Sequence, residues 1–205
     1  MKTNYLTNVI DRYHRGWLTF VVNGDQISIP YLTRVKMVES TDNFELVEIL
    51  EGKFANQKVE VPFLQKTGND AYSYFTDTKI DFKRLDITIN RRKGILTLGK
   101  NQYVVELSEK CKNGTYLIGF PIKKRIINKN YSDEDRGGTR FYDSWFPLIK
   151  KDEFNMSRFL HYGTFSEGCL TVSHLGNKGK DWSDIFSILM HSRINDDYLA
   201  QIKVY

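Results

Sequence analysis

The segment Arg158-Phe-Leu-His161-Tyr-Gly163-Thr-Phe165-Ser166-Glu-Gly168-Cys169-Leu-Thr-Val172 holds the residue types best suited to covalent chemistry. The thiolate is the nucleophilic form of cysteine, and a free thiol of pKa about 8.5 is mostly protonated at neutral pH, so a neighbouring base matters. His161 can take the proton of Cys169 and later return one to a leaving amine. Residues 159–161 and 170–172 are strand-like, and the glycines at 163 and 168 favour a tight reversal between them. A reversal centred on Phe165 sets residues 161 and 169 directly opposite in an antiparallel pair, with Cβ atoms roughly 4.5 to 5.5 Å apart. Gly168 leaves the backbone before the thiol open, so the amides of Gly168 and Cys169 can face an oxyanion. A lone cysteine in a β protein is ordinarily a small buried hydrophobe, and it is the opposed histidine that lifts this segment above that expectation.

These strands sit in a chain that reads as mainly β with one late helix. Apolar runs at 17–22, 26–29, 31–38, 44–50 and 58–61 predict about five strands, and Asn23-Gly24 is a strong two-residue hairpin signal. They predict a small N-terminal β-barrel or meander. Apolar density and periodicity fall between Gln65 and Asp81, which places a domain boundary near residue 79: an N-terminal β-domain of unassigned role over 1–79 and a second domain over 80–205. A second strand series follows at 86–90, 95–98, 103–107 and 115–120. The polar stretch 123–140, with Asn130, Asp133, Gly137 and Gly138, is too long for a simple turn. Asp181 can cap a helix that has Ser183 and Asp184 in its first turn and Ile185, Phe186, Ile188 and Leu189 at core-facing spacing. Residues 198–204 alternate as a closing strand.

Composition excludes several classes. With 205 residues, 40% of them hydrophobic, the chain can build a core and is not intrinsically disordered. Thirty basic against 25 acidic residues give a net charge of +5, a mild bias toward acidic partners and far from that of a dedicated nucleic-acid protein. Two cysteines, Cys111 and Cys169, with no Cys-x-x-Cys pair, exclude a disulfide-stapled mini-domain and a zinc or thioredoxin-like pair. No apolar run approaches the ~20 residues of a membrane span, so no membrane partner is expected. The first residues are interrupted by Asp11, Arg12 and His14 and lack the apolar core of a secretory signal. The expectation is synthesis in the cytoplasm and export by a route that does not read an N-terminal signal.

His161-Tyr-Gly-Thr-Phe-Ser-Glu-Gly-Cys169-Leu resembles the His-Gly…Ser-x-Gly-Cys-[Ile/Leu] signature of L,D-transpeptidase catalytic (YkuD-like) domains. Its compact spacing is more similar to the branch that includes the type VI secretion effectors of L,D-transpeptidase type. Asn113-Gly-Thr-Tyr-Leu-Ile is similar to the Gly-x-Tyr-x-Ile strand after the family's opening hairpin, and Ser144-Trp-Phe-Pro-Leu-Ile resembles the Trp-Phe strand before the histidine. The resemblance spans residues 86 to 205 and leaves the N-terminal part unexplained. Glu167 stands where many members carry histidine between the serine and the glycine, which leaves His161 as the base.

The resemblance implies a YkuD-like β-sandwich and a cell-wall enzyme. Cys169 would attack the carbonyl of the third residue of a peptidoglycan stem peptide, a diamino acid, in its bond to D-Ala. Water would resolve the thioester in an L,D-carboxypeptidase, an amine in an L,D-transpeptidase or D-amino-acid exchange. Ser166 would steady the turn or the imidazole, and no metal or organic cofactor is implied. The branch implies an antibacterial toxin delivered to the periplasm of a target bacterium, with a secretion-machine component and a periplasmic immunity protein as partners.

Stem peptides carry several carboxylates, so a cleft near the thiol should offer cations, and Arg140 and Arg158 are the nearest in sequence. Tyr142 and Trp145 could wall the cleft, although a large aromatic such as Trp145 is more often core. Gly163 is counted with these substrate-binding residues. Lys123-Lys124-Arg125 is a short basic run that could attract an anionic wall or nucleic acid, although most such runs are merely solvated. His174, five positions beyond Cys169, falls on the other side of a regular strand, and Cys111 reads as a structural thiol. The alternative function is a non-catalytic cell-wall-binding module on the same scaffold. A nucleic-acid-binding barrel is disfavoured by Asp42, Glu45, Glu48, Glu51 and Glu60, so no nucleic-acid partner is expected.

Overall fold

Short runs that alternate apolar and polar residues make strands with one buried face, and among the described residues they assemble two large sheets and two two-stranded ones. The structure, a computed structural model, describes residues 2–11, 13–22, 24–67, 70–124, 131–136, 138–150, 158–164, 170–173 and 178–205. The chain divides into two compact units, Met1–Asp81 and Phe82–Tyr205.

The first unit contains β1 (Thr3–Leu6), β2 (Trp17–Val22), β3 (Asp25–Pro30), β4 (Arg34–Ser40), β5 (Phe44–Ile49), β6 (Lys58–Pro62), β7 (Gln65–Thr67), β8 (Asp70–Tyr72) and β9 (Phe75–Thr76). Five of these form an antiparallel sheet in the order β6-β5-β4-β1-β9. The β2–β3 hairpin closes with Val22 opposite Asp25, and Gly24 takes φ +87°, a conformation that a Cβ would penalise. Leu18, Ile27 and Ile29 of the hairpin join Leu6, Val35, Val47, Ile49, Val59 and Val61 in one apolar core. Two of the acidic residues of this unit are buried. Glu51 accepts hydrogen bonds from the backbone N–H of Arg34 at 2.9 Å and from its Nε at 2.7 Å. Glu45 accepts one from the Ser73 hydroxyl at 2.7 Å, and burial pushes its carboxyl above the usual range. The polar stretch after Gln65 is not bare linker: it supplies β7, β8 and β9.

The second unit contains β10 (Asp86–Asn90), β11 (Ile95–Leu98), β12 (Asn101–Val104), β13 (Glu106–Leu107), β14 (Gly114–Gly119), β15 (Ile122–Lys123), β16 (Ser144–Lys150), β17 (Phe159–Gly163), β18 (Leu170–Ser173), α1 (Gly179–Met190) and β19 (Tyr198–Val204). Ten strands share one sheet, in the order β12-β11-β10-β19-β14-β16-β17-β18-β13 with β15 beside β16. Val105 alone separates β12 from β13, so the chain brings the two ends of this path together and the sheet curls round. Most neighbours are antiparallel, but β10 pairs β19 in parallel, and so do β17 and β18.

The late helix forms because Trp182, Ile185, Phe186 and Leu189 recur at the helical period and are buried together. Phe146 packs against Trp182 and Phe186, and Tyr162 stacks on Trp182, which fixes the helix against β16 and β17. The helix starts two residues before the expected cap. Asp181 lies inside the first turn, and Lys178 occupies the cap position without a side-chain cap bond. The Trp182 N–H to Lys178 carbonyl bond closes that turn as the indole is buried, and Ser183 donates back to the Gly179 carbonyl. No helix among the described residues is long and apolar enough to cross a membrane.

Candidate active site

The expected hairpin between His161 and Cys169 does not form. β17 and β18 run parallel, pairing Leu160 with Leu170, His161 with Thr171, Tyr162 with Val172 and Gly163 with Ser173. A hairpin centred on Phe165 keeps the first of these pairs but sets Tyr162 against Gly168. The parallel direction instead puts Tyr162 beside Val172, both essentially removed from solvent, and that burial separates the two arrangements. Cys169, Gly168 and Ser166 lie outside the described residues, as do Phe165, Glu167, His174, Asn23, Arg125, Asn130 and Gly137.

The pleat sorts the remaining residues onto two faces. Phe146, Leu148, Leu160, Tyr162, Leu170 and Val172 point one way and are buried, and it is Phe146 and Tyr162 of this set that meet the helix. Trp145, Phe159, His161 and Thr171 point the other way. The antiparallel register of β16 and β17, Phe146 with Leu160, sets Trp145 opposite His161 when carried on by one residue. Their rings stack at 4.0 Å between centroids with planes 12° apart. Phe159 stands two residues before His161 and lies 5.5 Å from the Trp145 ring.

His161 is 1% exposed. Its Nδ1 lies 3.1 Å from the Tyr162 carbonyl, an acceptor, so Nδ1 carries the proton and Nε2 keeps its lone pair. Thr171 Oγ1 stands 3.3 Å from that Nε2 and donates to it. Burial pushes the imidazole down to about 4, against a smaller upward pull from the Tyr162 carbonyl. At neutral pH the side chain is therefore an uncharged acceptor with its tautomer fixed, the state a general base requires.

Gly163 ends β17 with φ +129°, and a Cβ there would stand 2.8 Å from Cε2 of Tyr131. The glycine is what lets that ring lie against the backbone. Tyr131 donates its hydroxyl to Thr164 Oγ1 and accepts from the Thr164 N–H, both at 3.1 Å, so it pins the first residue after the strand. Tyr131 comes from the polar stretch after β15, whose far end is tied by the Gly138 N–H to Asp133 and the Thr139 N–H to Tyr131.

The two arginines expected to meet substrate each have a partner within the chain. Arg140 pairs with Glu134 at 3.1 Å, and Arg158 Nε donates to the Lys110 carbonyl at 3.4 Å. Tyr142 is half-buried in the turn before β16. Trp145, expected more often as core, is half-buried and stacks on the candidate base. Among the described residues a cation beside this face is Lys124, from the basic run: its ammonium sits 5.5 Å from the Trp145 ring centre and 5.1 Å from that of Phe159. Sequence reasoning assigned no role to Thr171 or Tyr131, neither of which carries a signal at the motif's own spacing, and weighed Lys124 only as part of a basic run. Cys111 is buried, in keeping with a structural role.

No family model matches the chain, and no curated protein matches it in sequence. Among solved structures it is similar to L,D-transpeptidases. An X-ray crystal structure of an L,D-transpeptidase from Mycobacterium tuberculosis H37Rv aligns over 93% of this chain and 76% of its own, at 7% identity and a TM-score of 0.34. L,D-transpeptidase 3 from the same organism aligns over 93% of this chain and 78% of its own, at 7% identity and a TM-score of 0.35. Its complex with a faropenem-derived adduct covers 92% and 77%, at 7% identity and a TM-score of 0.34. Likeness at this level assigns no residue role or activity to this chain, so the site rests on its own geometry.

Proposed function

We propose that the chain is a cysteine acyl transferase of the bacterial cell wall, acting on peptidoglycan stem peptides at the diamino acid–D-Ala bond, with residues 80–205 as its catalytic part. One observation carries this reading: the parallel pairing of β17 with β18 makes Leu160, bonded to His161, the register partner of Leu170, bonded to Cys169. This pairing supports the reading by joining the strand that carries the neutral imidazole to the strand that begins one residue after Cys169 in the chain.

The chemistry follows from those groups. His161 Nε2 takes the proton from the Cys169 thiol as Sγ attacks the peptide carbonyl, and the amides of Gly168 and Cys169 receive the oxyanion. Collapse breaks the C–N bond, and the imidazolium returns its proton to the departing D-Ala amine. The thioester is then attacked by water, giving the shortened acid, or by an amine, giving a new amide, with His161 again taking the proton and the thiol re-forming. The branch resemblance of the motif adds a biological setting, an exported effector acting on a rival's wall with an immunity protein that blocks the cleft.

The test is mass spectrometry of disaccharide-tetrapeptide incubated with the wild-type protein and with Cys169→Ala, with a free D-amino acid in a parallel tube. Loss or exchange of the terminal D-Ala with wild type alone supports the reading and shows which acceptor wins. Unchanged substrate in every tube, with the protein folded, refutes it in favour of a wall-binding module.

A further inference from the structure

We propose that Lys124 is the carboxylate-binding residue of this site and selects substrates that end in a free carboxylate one residue beyond the scissile bond. The inference rests on the acyl-transfer reading above and deepens it. β15 pairs Ile122 with Trp145 and Lys123 with Ser144, and the Lys124 N–H donates to the Asp143 carbonyl at 2.8 Å, continuing that ladder by one residue. Side chains two apart on a strand share a face, so Lys124 projects on the side of Ile122 and Trp145, the side that carries His161.

The ammonium is held there over two aromatic faces, at 5.5 Å from Trp145 and 5.1 Å from Phe159, while remaining exposed. Among the described residues it has no carboxylate partner, unlike Arg140. Two polarised rings restrain a long side chain without neutralising it, which leaves a positioned positive charge for a ligand. Through the Trp145 ring the ammonium lies within about 9.5 Å of the imidazole centre. A carboxylate one residue past the attacked carbonyl lies about 4 to 5 Å from it, so a substrate seated beside His161 can reach Lys124. The chemistry recognised is a terminal α-carboxylate on the leaving amino acid, which a carboxamide or a further residue would abolish or displace.

The experiment uses the full chain carrying Cys169→Ala, so that binding is read without turnover. Calorimetry compares the disaccharide-tetrapeptide acid with the same molecule ending in a carboxamide. The acid should bind about fivefold tighter than the amide, as expected for one partly exposed ion pair, and the preference should shrink as salt rises. Adding Lys124→Met should erase the preference, and Lys124→Arg should keep it. Equal affinity for acid and amide, a preference that survives Lys124→Met, or no binding of either ligand overturns the assignment. The acyl-transfer reading fails separately, if the protein with Cys169 intact leaves a tetrapeptide unchanged that the inert variant binds with this preference.

Discussion

Acid should destabilise this protein in part through the imidazole of His161. In the folded chain His161 holds its proton only below about 4, whereas an unfolded histidine does so below 6.5. Between these values the unfolded chain binds a proton that the native site refuses, so stability is full above pH 6.5, falls as the pH drops through the window, and levels off below 4. At 1.36 kcal/mol per pKa unit of separation, the loss is about 3 kcal/mol. The structural cause is the site itself: an imidazolium there would exchange water for one carbonyl, one hydroxyl and the face of an indole. The assay is urea unfolding of wild type and His161→Gln from pH 7.5 to 3.8, following tryptophan fluorescence. Carboxylates titrate alike in both proteins, including Glu45, raised by burial, and Asp11, held low by its hydrogen bonds to His14 and Tyr13 despite its own desolvation. The difference between the two proteins isolates the imidazole. Wild type should lose about 3 kcal/mol relative to the variant on going from pH 7 to pH 4. Parallel pH profiles, or a native His161 resonance that titrates near 6.5, would refute the reasoning.

Three further outcomes follow from the same geometry. With His161 neutral, the proposed reading expects alkylation of Cys169 by iodoacetamide to climb about tenfold per pH unit through the neutral range. A rate already level at pH 5 would mean a resting thiolate–imidazolium pair instead. Gly163→Ala combines a positive φ with a Cβ pressed on the Tyr131 ring and should cost about 1 to 3 kcal/mol, read as a lower Tm; an unchanged Tm contradicts it. Glu51→Ala strips the Arg34 guanidinium and backbone N–H of a fully buried partner and should destabilise the first unit by about 3 kcal/mol, measured by urea unfolding. A change below about 0.5 kcal/mol would show that the pair contributes nothing net.

The sequence by itself determined the local elements. Alternation marks β2, β5, β10 and β11, Asn23-Gly24 marks the β2–β3 hairpin, and the spacing of Trp182, Ile185, Phe186 and Leu189 marks the only α-helix among the described residues. These are legible because each depends on a few neighbouring residues. β1 escapes because four residues, two of them polar, show no period, and β7 to β9 escape because they are two or three residues long. The same locality made His161 and Cys169 visible as candidates and concealed how their strands meet. Leu160 with Leu170 satisfies either strand direction, and the choice falls to whether Val172 is buried beside Tyr162, a question of packing across the sheet. The surroundings of the basic residues were likewise out of reach. Arg140 and Arg158 are nearer the motif in the chain, but Glu134 and the Lys110 carbonyl hold them. Lys124 arrives through the register of β15 on β16, which no spacing along the chain records. Tertiary structure decided these points because register, strand direction and burial belong to pairs of segments far apart in sequence, and each is fixed only when the others are.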